Sequence, residues 1–276
     1  MKSPVIVHLV DGTYELFRHF YGARHATNGV DSRFGGVRGV LRGVLEMIEK
    51  GATHIGVATD HVIESFRNEL WDGYKTGAGI DPVLWSQFHP LEDGLAAMGV
   101  AVWPMIELEA DDGLASAAFL ASADASVQKI CIWTPDKDLA QCVVGDRIVQ
   151  IDGRRNVIRD AAGVEAKFGV PPALIPDYLA LVGDAADGYP GIRGFGPKRA
   201  AAILRQRGPI EAIDDRAIDR ERALLFKKLA TLRTDAMLFD SVGELRWSGP
   251  SPSFAAFAET IGAPELAARA QRLAPV

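Results

Sequence analysis

The stretch Gly183–Leu204, GDAADGYPGIRGFGPKRAAAIL, decides how the rest of the chain is read. It opens with Asp184 and Asp187 at i and i+3, a spacing that on a helical turn puts both carboxylates on one face. Gly191-Ile192-Arg193-Gly194-Phe195-Gly196 is too glycine-rich for a helix or strand interior. Pro197 suits the first turn of a new helix, and Lys198 to Leu204 continue it. Glycines let the backbone approach a ligand closely, and free N–H groups at a helix start attract an anion. Lys198, Arg199, Arg205 and Arg207 add positive charge for a nucleic-acid backbone to neutralise. Gly191, Gly194, Gly196, Lys198 and Arg199 are therefore the candidate phosphate contacts. A plain helix–turn–helix corner would use the same glycines and proline as caps, but it would have no use for the two carboxylates. An acidic pair beside a phosphate site makes sense with a metal ion between them.

The 276 residues suit one large domain or two small ones, and 48% hydrophobic with 24% charged residues implies a packed core. No apolar run approaches the roughly 20 residues of a membrane span. Met1-Lys2-Ser3-Pro4 leads into a strand-like run with no signal-peptide h-region, and Cys131 and Cys142 suit a reducing compartment. A cytoplasmic protein without membrane partners is expected. The net charge of −6 argues against a nucleic-acid partner unless the acids are clustered. From Gly183 to Arg207 five Lys/Arg against two Asp leave a local balance of +3. Where the acids lie decides the matter.

They lie at strand ends. Val5–Val10 reads as a buried strand ending at Asp11, followed by a helix from Thr13 with Leu16, Phe17 and Phe20 inward. Asp11 serves there as a site residue or as a helix N-cap. His8 and His19 read as packing or surface residues. Gly35–Lys50 is an amphipathic helix, and His54–Thr59 is a second strand ending at Asp60. Periodicity weakens from His61 to Trp85, where Lys75 precedes a flexible Thr76-Gly77-Ala78-Gly79, as in a lid, an arch or a surface insertion. Trp85–Met98 is helical and Val100–Trp103 is a third strand. Glu107, Glu109, Asp111 and Asp112 then open a helix, more acids than its dipole calls for. Gln128–Thr134 is a fourth strand, running out at Asp136 and Asp138. Arg147–Ile151 reads as an edge strand, Val164–Val182 as helix, loop and helix. ERALLFKKLATLR is amphipathic with Leu224, Leu225, Leu229 and Leu232 inward, and with Arg222, Lys227, Lys228 and Arg233 toward solvent or DNA.

In open α/β sheets, ligands bind beyond the carboxyl ends of the strands. Asp11, Asp60, Glu109, Asp111, Asp112, Asp136, Asp138, Asp184 and Asp187 are thus the candidate metal ligands. So many carboxylates on one sheet edge repel one another without cations, and Mg²⁺ takes oxygen ligands. Two such ions about 4 Å apart stabilise the attacking and leaving oxygens of a phosphodiester. Metal-assisted phosphodiester hydrolysis beside a backbone clamp is the reaction class these residues point to.

The motifs VDGTYELFR, Thr59-Asp60, ELEADD, TPDKDLAQ and GDAADGYPGIRGFGPK closely resemble those of the structure-specific 5′-nucleases. That family includes the 5′–3′ exonuclease domain of bacterial DNA polymerase I, phage 5′-exonucleases and flap endonucleases. The resemblance covers roughly residues 5–240, and every metal-directed acid of the family pattern is an acid here. It implies an α/β nuclease core over 1–170, with a mostly parallel sheet flanked by helices and a helical arch at about 61–85. A helix-hairpin-helix DNA-binding subdomain would fill 171–276. It further implies Mg²⁺-dependent cleavage of DNA, with Mn²⁺ as a substitute, and a K⁺ ion at the hairpin. Substrates would be 5′ ends, flaps or nicks, RNA–DNA hybrids included, and products would carry 5′-phosphates in replication or repair. Lys75 and Arg18 match basic residues at the scissile phosphate, and Tyr74 matches an aromatic that stacks on the end base. The chain departs from the pattern at Thr59 and His61 around Asp60, at Gly188 after the last aspartate, and in an arch without arginines. A non-catalytic branched-DNA binder would be expected to lack an acid or Lys75. A metal-dependent RNase on the same scaffold would not need the duplex-DNA hairpin.

Overall fold

The computed structural model describes residues 4–26, 33–216 and 218–275. β1 (Val5–Asp11) runs into α1 (Gly12–Ala26), and α2 (Gly35–Glu49) returns the chain to β2 (His54–Asp60). The short helices α3 (Phe66–Leu70) and α4 (Pro82–Trp85) precede α5 (Phe88–Ala97) and β3 (Ala101–Met105). Next come α6 (Ala110–Ser122), β4 (Val127–Trp133), β5 (Ile148–Asp152) and β6 (Val157–Arg159). The sheet order is β3-β2-β1-β4-β5-β6, parallel except for β6. The chain goes from β1 to β2 and β3 on one side, then crosses back to β4 on the other. The carboxyl ends of β1 and β4 therefore flank the topological switch point.

α1, α2 and α5 cover one face, burying Leu16, Phe20, Val40, Leu41 and Leu45. The helical spacing of α2 places every inward residue, from Val37 to Ile48, as expected. α6 covers the other face with Leu114, Ala117, Ala118 and Ala121 against Val7, Leu9, Ile130 and Ile132. β5 is not the edge strand expected of Arg147–Ile151, because β6 pairs antiparallel outside it. Three residues with Val157 and Ile158 exposed carry no alternation to read.

α7 (Ala161–Phe168), α8 (Ile175–Val182), α9 (Pro197–Arg207) and α10 (Arg220–Ala230) share a second apolar cluster around Leu179, Phe195, Leu204 and Phe226. In α10 the inward residues are Ala223, Phe226 and Leu229; Leu224 and Leu225 are only half-buried. The segment beyond the cluster does not stay with it. Leu232 and Leu245 pack on the α6 side of the sheet. α11 (Phe254–Thr260) and α12 (Pro264–Leu273) bury Phe254, Leu266 and Ala270 against the α2 and α5 side. The span expected as a helical arch forms only α3 and α4, because Gly73, Gly77 and Gly79 crowd the stretch between them. Among the described residues no helix is long and apolar enough to cross a membrane.

Candidate active site

The strand ends deliver the acids. Asp11 closes β1; its carboxylate accepts from the Tyr14 N–H at 2.8 Å and the Thr134 hydroxyl at 2.9 Å. It therefore caps α1 and faces the site at once. Asp60 closes β2 and accepts from the Ala110 N–H at 2.7 Å. Asp111 stands in the first turn of α6, and Asp136 and Asp138 follow β4. Asp184 and Asp187 do not share a helical turn. Gly183, at φ +87°, ends α8, and a tight turn closes through paired Asp184–Tyr189 backbone bonds of 2.8 and 3.0 Å.

Two carboxylate groups result. Oxygens of Asp111, Asp136 and Asp138 lie within 4.8 Å of one another, and so do those of Asp138, Asp184 and Asp187. Asp138 belongs to both, and its Oδ1 is buried without a hydrogen-bond partner. Burial, then Asp136 and Asp11, push the Asp111 carboxyl well above its usual range. Burial, then Asp136, Asp187 and Asp184, do the same to Asp138. Asp11 is pushed up to about 7, by burial first and by Asp60 and Asp136 after it. Burial also raises Asp60 and Asp187, against the pull of Lys75. An all-oxygen set with an orphaned buried acceptor fits a hard divalent cation.

Two lysines enter this cluster. Lys75 Nζ sits 2.8 Å from Glu109 and 2.9 Å from Asp187. Burial works to lower its pKa, but Glu109 and Asp187 hold it well above the ordinary lysine range. Its backbone is pinned too: its N–H donates to the Asp187 carbonyl at 3.0 Å, and its carbonyl accepts from Asn68 at 2.9 Å. Lys137 Nζ lies 2.6 Å from Asp184.

Three expected site residues stand elsewhere. Asp112 is fully buried and faces Arg67, whose two terminal nitrogens meet its two oxygens at 2.7 Å each. It also accepts from the backbone of Glu109 and Arg233, so its oxygens are consumed by structure. Tyr74 is 4% exposed with its hydroxyl 3.3 Å from Glu109, so no base can stack on it in this arrangement. Arg18, two turns into α1, pairs with Glu15 and His19 and lines a cavity of about 610 Å³ with His8 and Trp133. Glu109 lies at the boundary: one oxygen accepts from Ser65 and Arg67, the other from Lys75 and Tyr74. Burial works upward on it, but Lys75 and Arg67 keep its carboxyl below the usual range. Arg67 went unread in the sequence because nothing in SFRNEL separates a buried arginine from a surface one.

The hairpin adjoins the acidic turn. Gly191 and Gly194 have φ of +71° and +86°, and Gly196 caps α9 without a side-chain acceptor, leaving first-turn N–H groups open. A Cβ at Gly191 would come 2.4 Å from the Gly183 nitrogen, so this loop packs backbone to backbone against the start of the acidic turn. Lys198 and Arg199 are exposed; Arg199 lies over the Phe195 ring at 4.1 Å and donates to the Gly194 carbonyl at 3.2 Å.

Known proteins resemble this chain. Residues 6–169 match the family model described as 5′-3′ exonuclease, N-terminal resolvase-like domain, and 170–253 match 5′-3′ exonuclease, C-terminal SAM fold. The 5′-3′ exonuclease of Buchnera aphidicola subsp. Baizongia pistaciae is 33% identical over 84% of this chain and 76% of its own. That of Aquifex aeolicus is 32% identical over 75% and 71%. DNA polymerase I of Pseudomonas aeruginosa is 32% identical over 88% of this chain, which spans 29% of that protein. T5 5′-exonuclease, solved with divalent zinc, superposes with a TM-score of 0.66 over 95% of this chain and 99% of its own, at 17% identity. The catalytic core of Rad2 in complex with DNA substrate gives 0.65 over 98% and 92%, at 14% identity. These two likenesses establish the fold.

Proposed function

The chain belongs to the 5′–3′ exonuclease family and is a nuclease, and from that premise we propose that it is a Mg²⁺-dependent 5′–3′ exonuclease and flap endonuclease acting on DNA. The observation that carries this reading is Asp138, shared by two carboxylate groups and holding a buried oxygen with no partner. Asp111, Asp136 and Asp138 would hold one ion, and Asp138, Asp184 and Asp187 a second. Asp11 and Asp60 would complete the negative field. When bound, two such ions supply Lewis-acid stabilisation to the attacking and leaving oxygens of a phosphodiester.

The chain's own residues do the rest. Lys75 stays charged at any working pH and is anchored through both backbone groups, so it presents a fixed cation to the scissile phosphate. Lys137 plays the same part beside Asp184. The open N–H groups of α9, with Lys198 and Arg199, would grip the duplex backbone, and K⁺ would assist at Gly191–Gly194. Substrates would be 5′ ends, nicks and flaps, RNA–DNA hybrids included. Products would carry 5′-phosphates, and a monomer working at the nucleoid would suffice.

A 5′-flap duplex labelled at its 3′ end, with and without Mg²⁺, tests this reading on the wild type and Asp136→Ala. Cleavage near the junction that needs Mg²⁺ and disappears in the variant, with DNA binding retained, is expected. Binding without cleavage by the wild type in both Mg²⁺ and Mn²⁺ would overturn it.

A further inference from the structure

The residue expected to stack on a base, Tyr74, is buried, and the stretch beside it carries no arginine. Another aromatic occupies the exposed position. Trp85 is 41% exposed, whereas Trp103 and Trp247 are buried. The six-membered edge of its indole lies about 3.5 Å from where a Cβ would stand on Gly77, two residues past Lys75. So the ring borders the loop that leads out of the catalytic cluster.

The ring is held in place. Asp81 caps α4 through the Val83 N–H at 2.8 Å and pairs with Arg24 at 2.9 Å. Phe88 meets the indole with ring centroids 5.0 Å apart. Four residues after Trp85, His89 stacks on His61 at 4.3 Å and an interplanar angle of 11°. His61 directly follows Asp60. Two ring pairs thus flank this region, His61–His89 after β2 and Trp85–Phe88 beside the loop after Lys75, with Phe88 buried behind the exposed indole. The charged groups among them are Glu64, on the Gly77 N–H, Glu92, on His61, and the Asp81–Arg24 pair. Such a surface has little for a phosphate and much for a nucleobase. Aromatic faces accept bases of any sequence.

We propose that Trp85 is a base-stacking contact for the unpaired 5′ strand entering beside Lys75, and that it favours single-stranded ends over flush ones. This rests on the nuclease reading above and adds the group that recognises the strand.

The test compares a 5′-flap duplex with one whose flap nucleotides next to the junction are abasic, and with a nicked duplex lacking a flap. Kd is measured in EDTA, and KM and kcat in Mg²⁺, for the wild type, Trp85→Ala and Trp85→Phe. The wild type is expected to bind the natural flap about 5- to 100-fold more tightly than the abasic one. Trp85→Ala should lose that preference with kcat and nicked-duplex binding nearly unchanged, and Trp85→Phe should keep most of it. Equal sensitivity to base removal in wild type and Trp85→Ala, or none in the wild type, would overturn the assignment. A wild type that shows the binding preference yet cleaves nothing in Mg²⁺ or Mn²⁺ would leave Trp85 in its role and sink the nuclease reading instead.

Discussion

Arg67 and Asp112 form a two-pronged ion pair with 1% and 0% of their side chains exposed, tying α3 to the start of α6. Arg67 also donates to the Leu229 carbonyl at 2.8 Å, so the same guanidinium fastens the end of α10. Removing one partner strands a buried charge, which typically costs about 3–5 kcal/mol. Arg67→Ala should therefore lower the thermal midpoint far more than a surface arginine change such as Arg205→Ala. Calorimetry of the metal-free proteins checks this, and near-equal midpoints would remove Arg67 from its structural role.

Asp138 and Asp112 should part company when a cation is added. Asp138→Asn removes a like charge from two crowded groups, so the metal-free protein should gain about 1 kcal/mol or more. The same change should abolish both cleavage and the thermal stabilisation produced by Mg²⁺ or Mn²⁺. Asp112→Asn should destabilise the chain yet leave the cation-induced shift in place. Differential scanning fluorimetry against cation concentration separates the two. A lost shift in Asp112→Asn would return Asp112 to the metal ligands.

The acids also set a pH dependence. Asp11 titrates at about 7 when folded, and an unfolded aspartate titrates near 3.9. Between those values the native state holds the extra proton. This contribution to stability is therefore full below about pH 4 and fades as pH rises through 7. In EDTA the midpoint of the wild type should rise when pH falls from 8 to 6, and Asp11→Asn should show a smaller rise. Saturating Mg²⁺ should flatten the dependence, since the bound cation favours the ionised carboxylates. Midpoints measured across this range with and without Mg²⁺ give the answer.

Gly188 governs where Lys75 sits. Its φ is +84°, and a Cβ there would fall 1.9 Å from the Gly73 carbonyl oxygen. The Gly188 carbonyl also accepts from the Trp71 indole at 3.1 Å. Gly188→Ala would push the 73–75 segment away from Asp187. A displacement near 1 Å costs on the order of 100-fold in rate. Single-turnover cleavage should fall by about that factor with duplex binding nearly unchanged, and an unaltered rate would sever the link between Gly188 and Lys75.

Lys75 itself bridges Glu109 and Asp187. Lys75→Ala should lose cleavage by roughly 100-fold or more, because a fixed cation at developing charge is commonly worth that much. It should also lower metal-free stability by leaving Glu109 and Asp187 without their shared partner. Lys75→Arg, with a wider head group, should recover stability before rate. Parallel rate and melting measurements distinguish the two losses.

The sequence by itself determined the first four strands and the helices that follow them onto the sheet, because apolar runs and helical periodicity are local signals. It also placed Asp11, Asp60, Asp136 and Asp138, because an acid at the end of a buried strand has one edge of the sheet to occupy. The hairpin was legible for a similar reason: Gly191 and Gly194 permit a left-handed backbone, and Pro197 fixes φ for a helix start, wherever they stand. Only the tertiary structure decided which acids converge and which serve the fold. Asp111 and Asp112 are neighbours in the same motif, yet helix rotation turns one toward Asp138 and the other toward Arg67. Their difference comes from α3 and α10, which reach α6 from distant parts of the chain. The burial of Tyr74 and the exposure of Trp85 have the same origin. A residue's type restricts what it can do, and the neighbours brought by folding settle what it does.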